Sequence, residues 1–135
     1  MVNLRVLYIG NSFTMYPPMA ITGPNMNKIK QFPDKIGQLQ NLKVLNLTAV
    51  DLRSLSKGII ELNQLDTLDV SFNAQLNISN ELVTLDKMLW LKYLNIVGTN
   101  ADRSAIEHLR KSLPNTKISS DFEELLIPHA VKFWA

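Results

Sequence analysis

The sequence predicts an α/β solenoid of about four short repeats. Parallel strands would line a concave sheet, with loops and short helices on the convex side and a helical cap at the C-terminus. Three observations predict it. The pattern L-x-x-L-x-L recurs as Leu42-Lys-Val-Leu45-Asn-Leu47, Leu65-Asp-Thr-Leu68-Asp-Val70 and Leu91-Lys-Tyr-Leu94-Asn-Ile96, and a fourth copy, Leu4-Arg-Val-Leu7-Tyr-Ile9, opens the chain. The copies start at residues 4, 42, 65 and 91, so their spacings are 38, 23 and 26, mostly in the twenties as a solenoid requires. Between copies run further apolar residues, Leu52, Leu55, Ile59 and Leu62, which one unit cannot bury alone.

Each copy reads as a strand because side chains alternate between faces. Leu45 and Leu47 point to the core, and Val44, Asn46 and Thr48 point to solvent. The return segment brings Leu52, Leu55, Ile59 and Leu62 back inward. Each buried Leu or Ile contributes roughly 1.5–3 kcal/mol, so stacking the units supplies the stability that one unit lacks.

On these residues the chain resembles the leucine-rich-repeat family. Residues 42–65 carry the resemblance best, and Leu65 through Asn73 is close to the family pattern L-x-x-L-x-L-x-x-N. The run Phe32 to Leu42, with Pro33, Ile36, Leu39 and Leu42, resembles the family return segment P-x-x-I-x-x-L-x-x-L. The resemblance covers about residues 4–12 and 32–118. It implies an asparagine at the strand end that bonds the backbone of adjacent turns. Only Asn73 fills that slot; Ser12, Val50 and Thr99 stand in the others. A stack held mainly by leucines is expected, with irregularity near Val50.

The remaining elements follow in order. The chain reads as a single domain over residues 1–135. The first spacing exceeds the 23-residue unit by 15, and residues 14–31 hold Pro17-Pro18, Gly23-Pro24 and several asparagines, so an inserted loop is expected there. In the third return, Glu81-Leu82, Leu85 and Met88-Leu89 suggest one or two helical turns. After the fourth strand, Asp102 or Ser104 would cap a helix carrying Ile106, Leu109, Arg110 and Leu113, and Pro114 would stop it. Asn115 to Ile118 resembles a closing half-strand. Ser120 to Glu123 has the form of a capping box, so residues 119–135 are expected to form the C-terminal cap.

Composition excludes several functions. The net charge is +2 with no run of four basic residues, so nucleic acid is not expected as a partner. No apolar stretch is long enough for a membrane span. The chain has no cysteine, which removes disulfides, thiolate nucleophiles and thiolate-ligated zinc. That fits a reducing compartment and equally many exported bacterial proteins. No signal peptide is read at the N-terminus, so the compartment stays open, with the cytoplasm preferred. His108 and His129 form no recognisable metal-ligand pair, and no glycine-rich phosphate loop occurs, so neither metal nor cofactor is expected. The sequons at Asn46 and Asn77 are read as chance.

One block looks catalytic. Ile9-Gly10-Asn11-Ser12 resembles the nucleophile block of SGNH-type esterases, in which Ser12 would be acylated. A serine needs a general base, and that family supplies it from D-x-x-H. The residues three before His108 and His129 are Ala105 and Leu126, so the second block fails at both histidines. The esterase remains a remote alternative, and no catalytic residue is assigned.

What remains is the concave face. Laying the copies in register puts Val6, Val44, Thr67 and Tyr93 in one outward column and Tyr8, Asn46, Asp69 and Asn95 in the next. Gly10, Thr48, Ser71 and Val97 follow, then Asn11, Ala49, Phe72 and Gly98. Tyr8, Phe72 and Tyr93 are candidate anchors, because aromatic side chains are enriched at interface hot spots. With Asn46, Thr67, Asp69 and Asn95 they make the expected partner-binding set. The resemblance implies non-enzymatic recognition of a protein or peptide. A structural part of a longer repeat protein, or a homodimer through uncapped ends, is the alternative.

Overall fold

The computed structural model of the chain describes residues 3–10, 13–15, 18–20 and 28–121. Five strands form one all-parallel sheet: β1 (Val6–Tyr8), β4 (Val44–Asn46), β5 (Thr67–Asp69), β6 (Tyr93–Asn95) and β7 (Lys117–Ser119), in that spatial order. Two more, β2 (Phe13–Met15) and β3 (Pro18–Ala20), pair antiparallel. The main sheet is thus four repeats and a closing strand. The closing half-strand expected at Asn115–Ile118 is observed two residues later as β7, Lys117–Ser119, paired in register with β6, while Asn115 and Thr116 form the turn before it.

The register makes the central leucines of the repeats neighbours: Leu7, Leu45, Leu68, Leu94 and Ile118 form one inner row. Leu45, Leu68 and Leu94 are at most 1% exposed, and so are the rows beside them, Leu42, Leu65 and Leu91, and Leu47, Val70 and Ile96. Sequence alternation therefore becomes a continuous core shared by successive turns.

After β4, β5 and β6 the chain leaves the sheet at a repeated left-handed turn. Ala49, Phe72 and Gly98 all have positive φ, at 54°, 59° and 73°. Ala49 N–H donates to the Ser71 carbonyl and Phe72 N–H to the Val97 carbonyl, which carries the turn from repeat to repeat. Asp51 adds a further positive φ of 60° beside Val50, the irregularity expected where the ladder asparagine is missing.

Asn73 compensates across the repeat boundary. It is 1% exposed. Its Oδ1 accepts from the N–H groups of Val50 and Leu52 at 3.0 and 2.9 Å. Its Nδ2 donates to the carbonyls of Leu47 and Val70 at 2.9 and 2.8 Å. Thr99, in the same slot one repeat on, makes a single side-chain bond, to the Ile96 carbonyl at 2.6 Å.

The convex side is built from two 3₁₀ turns, Asp34–Gln38 and Lys57–Glu61, then α1 (Ile78–Leu85) and α2 (Arg103–Ser112). Asn77 caps α1 by accepting from Ser79 N–H, and Asp102 caps α2 by accepting from Ala105 N–H. The α1 helix begins three residues earlier than the Glu81 start suggested by apolar spacing, because the cap lies at Asn77. The buried stripe of α2 is Ala105 and Leu109 with Leu113 just beyond, while Ile106 is only partly buried. The two 3₁₀ turns pack backbone to backbone, and a Cβ on Gly58 would overlap the Asp34 carbonyl. Ser56 Oγ adds a bond to Asp34 Oδ1 at 2.8 Å across the same contact.

The insertion is sharply bounded. Gln31 bridges Ser54, Ile29 N–H donates to the Val50 carbonyl and Arg53 N–H to the Lys30 carbonyl. Val6 and Gln31 are 25 positions apart, whereas their partners Val44 and Ser54 are 10 apart. The whole excess of 15 therefore falls before the chain rejoins the stack at residues 28–31. Within the expected loop the backbone carries the β2–β3 pair. Ser12 and all of the expected cap beyond Asp121 lie outside the described residues.

Candidate functional site: the concave sheet face

The concave face is two full columns of outward residues. One is Val6, Val44, Thr67, Tyr93 and Lys117; the other is Tyr8, Asn46, Asp69, Asn95 and Ser119. Six of the seven expected partner-binding residues, Tyr8, Asn46, Thr67, Asp69, Tyr93 and Asn95, are brought together in these columns. Their exposure differs widely. Tyr8 is 65% exposed and Val6 55% exposed on the first strand. Asn46, Thr67, Asp69 and Tyr93 are half-buried, and Asn95 is 2% exposed.

The polar members are fixed by a repeated local bond. Asn46 Oδ1 accepts from Thr48 N–H at 3.1 Å, Asp69 Oδ1 from Ser71 N–H at 2.9 Å and Asn95 Oδ1 from Val97 N–H at 3.1 Å. This is an Asx turn repeated along the sheet, each closing the end of its own strand. The Ser71 hydroxyl also donates to Asp69 Oδ1 at 2.6 Å, and Asn95 Nδ2 reaches Asp69 Oδ2 at 3.4 Å. Tyr93 Oη donates to Ser119 Oγ at 3.0 Å. Asn46, Asp69, Tyr93 and Asn95 are therefore held in place by bonds within the protein.

The asparagines of both sequons make this local backbone bond. Asn46 Oδ1 accepts from Thr48 N–H and Asn77 Oδ1 from Ser79 N–H, as Asn95 Oδ1 does from Val97 N–H, so the bond does not depend on the hydroxyl residue.

The third column departs from expectation. Alternation predicts that Thr48, Ser71 and Val97 face solvent, but they are 8%, 2% and 2% exposed. Alternation ends with the three-residue strands. The following left-handed turn tucks these residues inward, where the Thr48 and Ser71 hydroxyls lie 3.4 Å apart. Phe72 stands apart from the other six. It is half-buried at the turn, with its ring over Gly98, where a Cβ would come within 2.6 Å of Phe72 Cδ1.

A polar cluster on the convex side was not read from the sequence. Asp86, at the end of α1, is held by two residues of α2: His108 Nε2 lies 2.7 Å from Oδ2, and Ser112 Oγ donates to Oδ1 at 2.7 Å. The spacing of His108 and Ser112, one helical turn apart, is the only sequence signal for it. Serine and imidazole both bind the carboxylate, and the Ser112 hydroxyl does not contact the ring. The arrangement clamps two helices and lacks the serine–imidazole bond of a hydrolase. Among the described residues no group of three or more His, Asp or Glu side chains could hold a metal ion, and no helix is long and apolar enough to cross a membrane.

Glu81 is the one described group whose titration is clearly displaced. It is 7% exposed in the first turn of α1, and burial pushes its carboxyl up from the usual 4.5, opposed by a hydrogen bond with the Leu55 backbone. It lies on the convex side and ties α1 to the preceding repeat.

No family model and no curated protein matches the sequence. Solved structures do match. A leucine-rich-repeat protein of Leptospira interrogans is similar over 69% of this chain, with 29% identity and a TM-score of 0.58. The chain spans 23% of that protein's length. The repeated strand register, the Asn73 bonds and this structural likeness agree: the chain folds as a leucine-rich-repeat solenoid.

Proposed function

We propose that this chain is a non-enzymatic recognition module that binds a protein or peptide on its concave face. The observation that carries the reading is the pair of aligned columns, in which exposed Val6 and Tyr8 on the edge strand share one face with half-buried Thr67, Asp69 and Tyr93. Tyrosine offers a large contact area at low entropic cost, and the Asx turns hold the polar groups in place. Asn95 contributes from the neighbouring strand, by holding Asp69, and Phe72 shapes the end of the face. The test is alanine substitution of Tyr8, Asp69, Phe72 and Tyr93, followed by binding to a partner captured with the native protein. Unchanged binding would sink the reading.

A second reading is structural: the repeats serve as part of a larger stack or pair with a second copy. Leu7 is half-buried, whereas its row-mates Leu45, Leu68 and Leu94 are sealed, and this favours it. Light scattering separates the two, since a monomer at all concentrations argues against self-pairing. The esterase alternative rests on Ser12 and is tested by fluorophosphonate labelling; no adduct at Ser12 disposes of it.

A further inference from the structure

The concave face has a charged rim at the strand entrances. Lys43 and Val44 N–H donate to the Arg5 carbonyl, Asp66 and Thr67 N–H to the Lys43 carbonyl, and Lys92 and Tyr93 N–H to the Asp66 carbonyl. Arg5, Lys43, Asp66 and Lys92 therefore form one row immediately before the outward column. Lys117 N–H donates to the Lys92 carbonyl, and Lys117 stands beside Tyr93 in that column. Arg5, Lys43, Lys92 and Lys117 are all exposed.

The cations fall into two pairs at opposite ends of the face, Arg5 with Lys43 and Lys92 with Lys117. Between them lie the only acids of the rim and columns, Asp66 and Asp69. Lys92 Nζ is 3.7 Å from Asp66 Oδ1, while Arg5, Lys43 and Lys117 have no ion pair among the described residues. Neighbouring strands are about 4.8 Å apart, so β1 to β7 spans about 19 Å, the length of roughly six extended residues at about 3.3 Å each.

We propose that the occupant of the concave face is an extended acidic segment of another protein, lying across the strands. Its carboxylates would meet Arg5 and Lys43 at one end and Lys92 and Lys117 at the other. Its neutral centre would face Asp66, Asp69 and Tyr93. A uniformly charged polyanion such as nucleic acid fits poorly, because the central acids repel its middle. The inference rests on the concave-face reading and adds the chemistry of the partner.

The experiment is selection from a displayed library of random heptapeptides on the folded protein. A Lys43→Glu, Lys117→Glu double variant and a Tyr8→Ala, Tyr93→Ala double variant run in parallel, each checked for an unchanged circular dichroism spectrum. The result expected is enrichment of Asp and Glu near both peptide ends. A selected peptide should lose about tenfold or more in affinity to the charge-reversed protein, and should weaken as salt rises. Enriched peptides that are neutral or basic, or indifferent to charge reversal, overturn the inference. If those peptides still need Tyr8 and Tyr93, the concave-face reading survives alone. Absence of any enriched peptide overturns both. Displacement of a selected peptide by a single-stranded oligonucleotide of equal charge, at equal or lower concentration, replaces the acidic segment with a nucleic acid.

Discussion

Replacing Asn73 with Ala should be the most damaging single polar change in the stack. The side chain is 1% exposed and serves two N–H donors, of Val50 and Leu52, and the carbonyls of Leu47 and Val70. Alanine strands two buried donors, each costing about 1–3 kcal/mol when left without a partner. Val50 is 0% exposed, so water has poor access to its backbone, and the expected loss is about 3–5 kcal/mol. For a domain of this size that lowers Tm by about 10–20 °C. Urea denaturation followed by circular dichroism measures it. Thr99→Ala is the internal control, because it removes one bond, to the Ile96 carbonyl, and should cost about 0.5–1.5 kcal/mol. Asn73→Asp keeps the acceptor and loses the donor, setting a carboxylate against the Leu47 and Val70 carbonyls, and should be at least as harmful as alanine. A loss below about 1 kcal/mol for Asn73→Ala, or equal losses at Asn73 and Thr99, would refute the ladder argument.

Three further outcomes are expected. Gly58→Ala should cost about 1–3 kcal/mol by thermal melting, because its Cβ overlaps the Asp34 carbonyl and backbone must shift; an unchanged Tm would mean the two 3₁₀ turns are loosely packed. Leu68→Ala, at the centre of the inner row and 0% exposed, should cost about 2–5 kcal/mol in urea, where a smaller loss would show that neighbouring turns collapse onto the gap. Glu81→Gln should change how stability depends on pH. Burial raises the folded-state pKa of Glu81 above the usual 4.5, so its relative stabilisation is present below 4.5 and is lost as pH rises through the folded value. The glutamine variant should be more stable than the native chain at pH 7, with the difference shrinking towards pH 4; a difference that grows on acidification contradicts the assigned burial.

The repeat core was legible because a period of two in the strands and a period in the twenties along the chain leave few alternatives. Leu45, Leu68 and Leu94, the Asp102 cap and the closing strand at Lys117–Ser119 all follow from such patterns. The irregularity at Val50 was legible too, as the missing asparagine of one slot. What stayed hidden depends on neighbours in space. Asn95 reads as an outward polar residue, yet Asp69 beside it and the Asx bond to Val97 bury it. Thr48 and Ser71 continue an alternating pattern on paper, but the left-handed turn ends the strand before them. Glu81 looks like a solvated helix position, and only the Leu55 backbone, supplied by the preceding repeat, shows otherwise. The β2–β3 pair is masked by Pro17-Pro18, which reads as loop, and its strands are three residues each, too short for alternation to register.

The most direct test of concave-face recognition places a photoactivatable aromatic side chain at Tyr8 and, separately, at Val83. Tyr8 is 65% exposed on the concave sheet and Val83 is 73% exposed on the convex α1, so the two probes are matched in accessibility and differ in face. Irradiation with the binding partner, followed by mass spectrometry of the adducts, should give cross-links from Tyr8 and few from Val83. Cross-links from Val83 with none from Tyr8 would contradict the account and move recognition to the convex side.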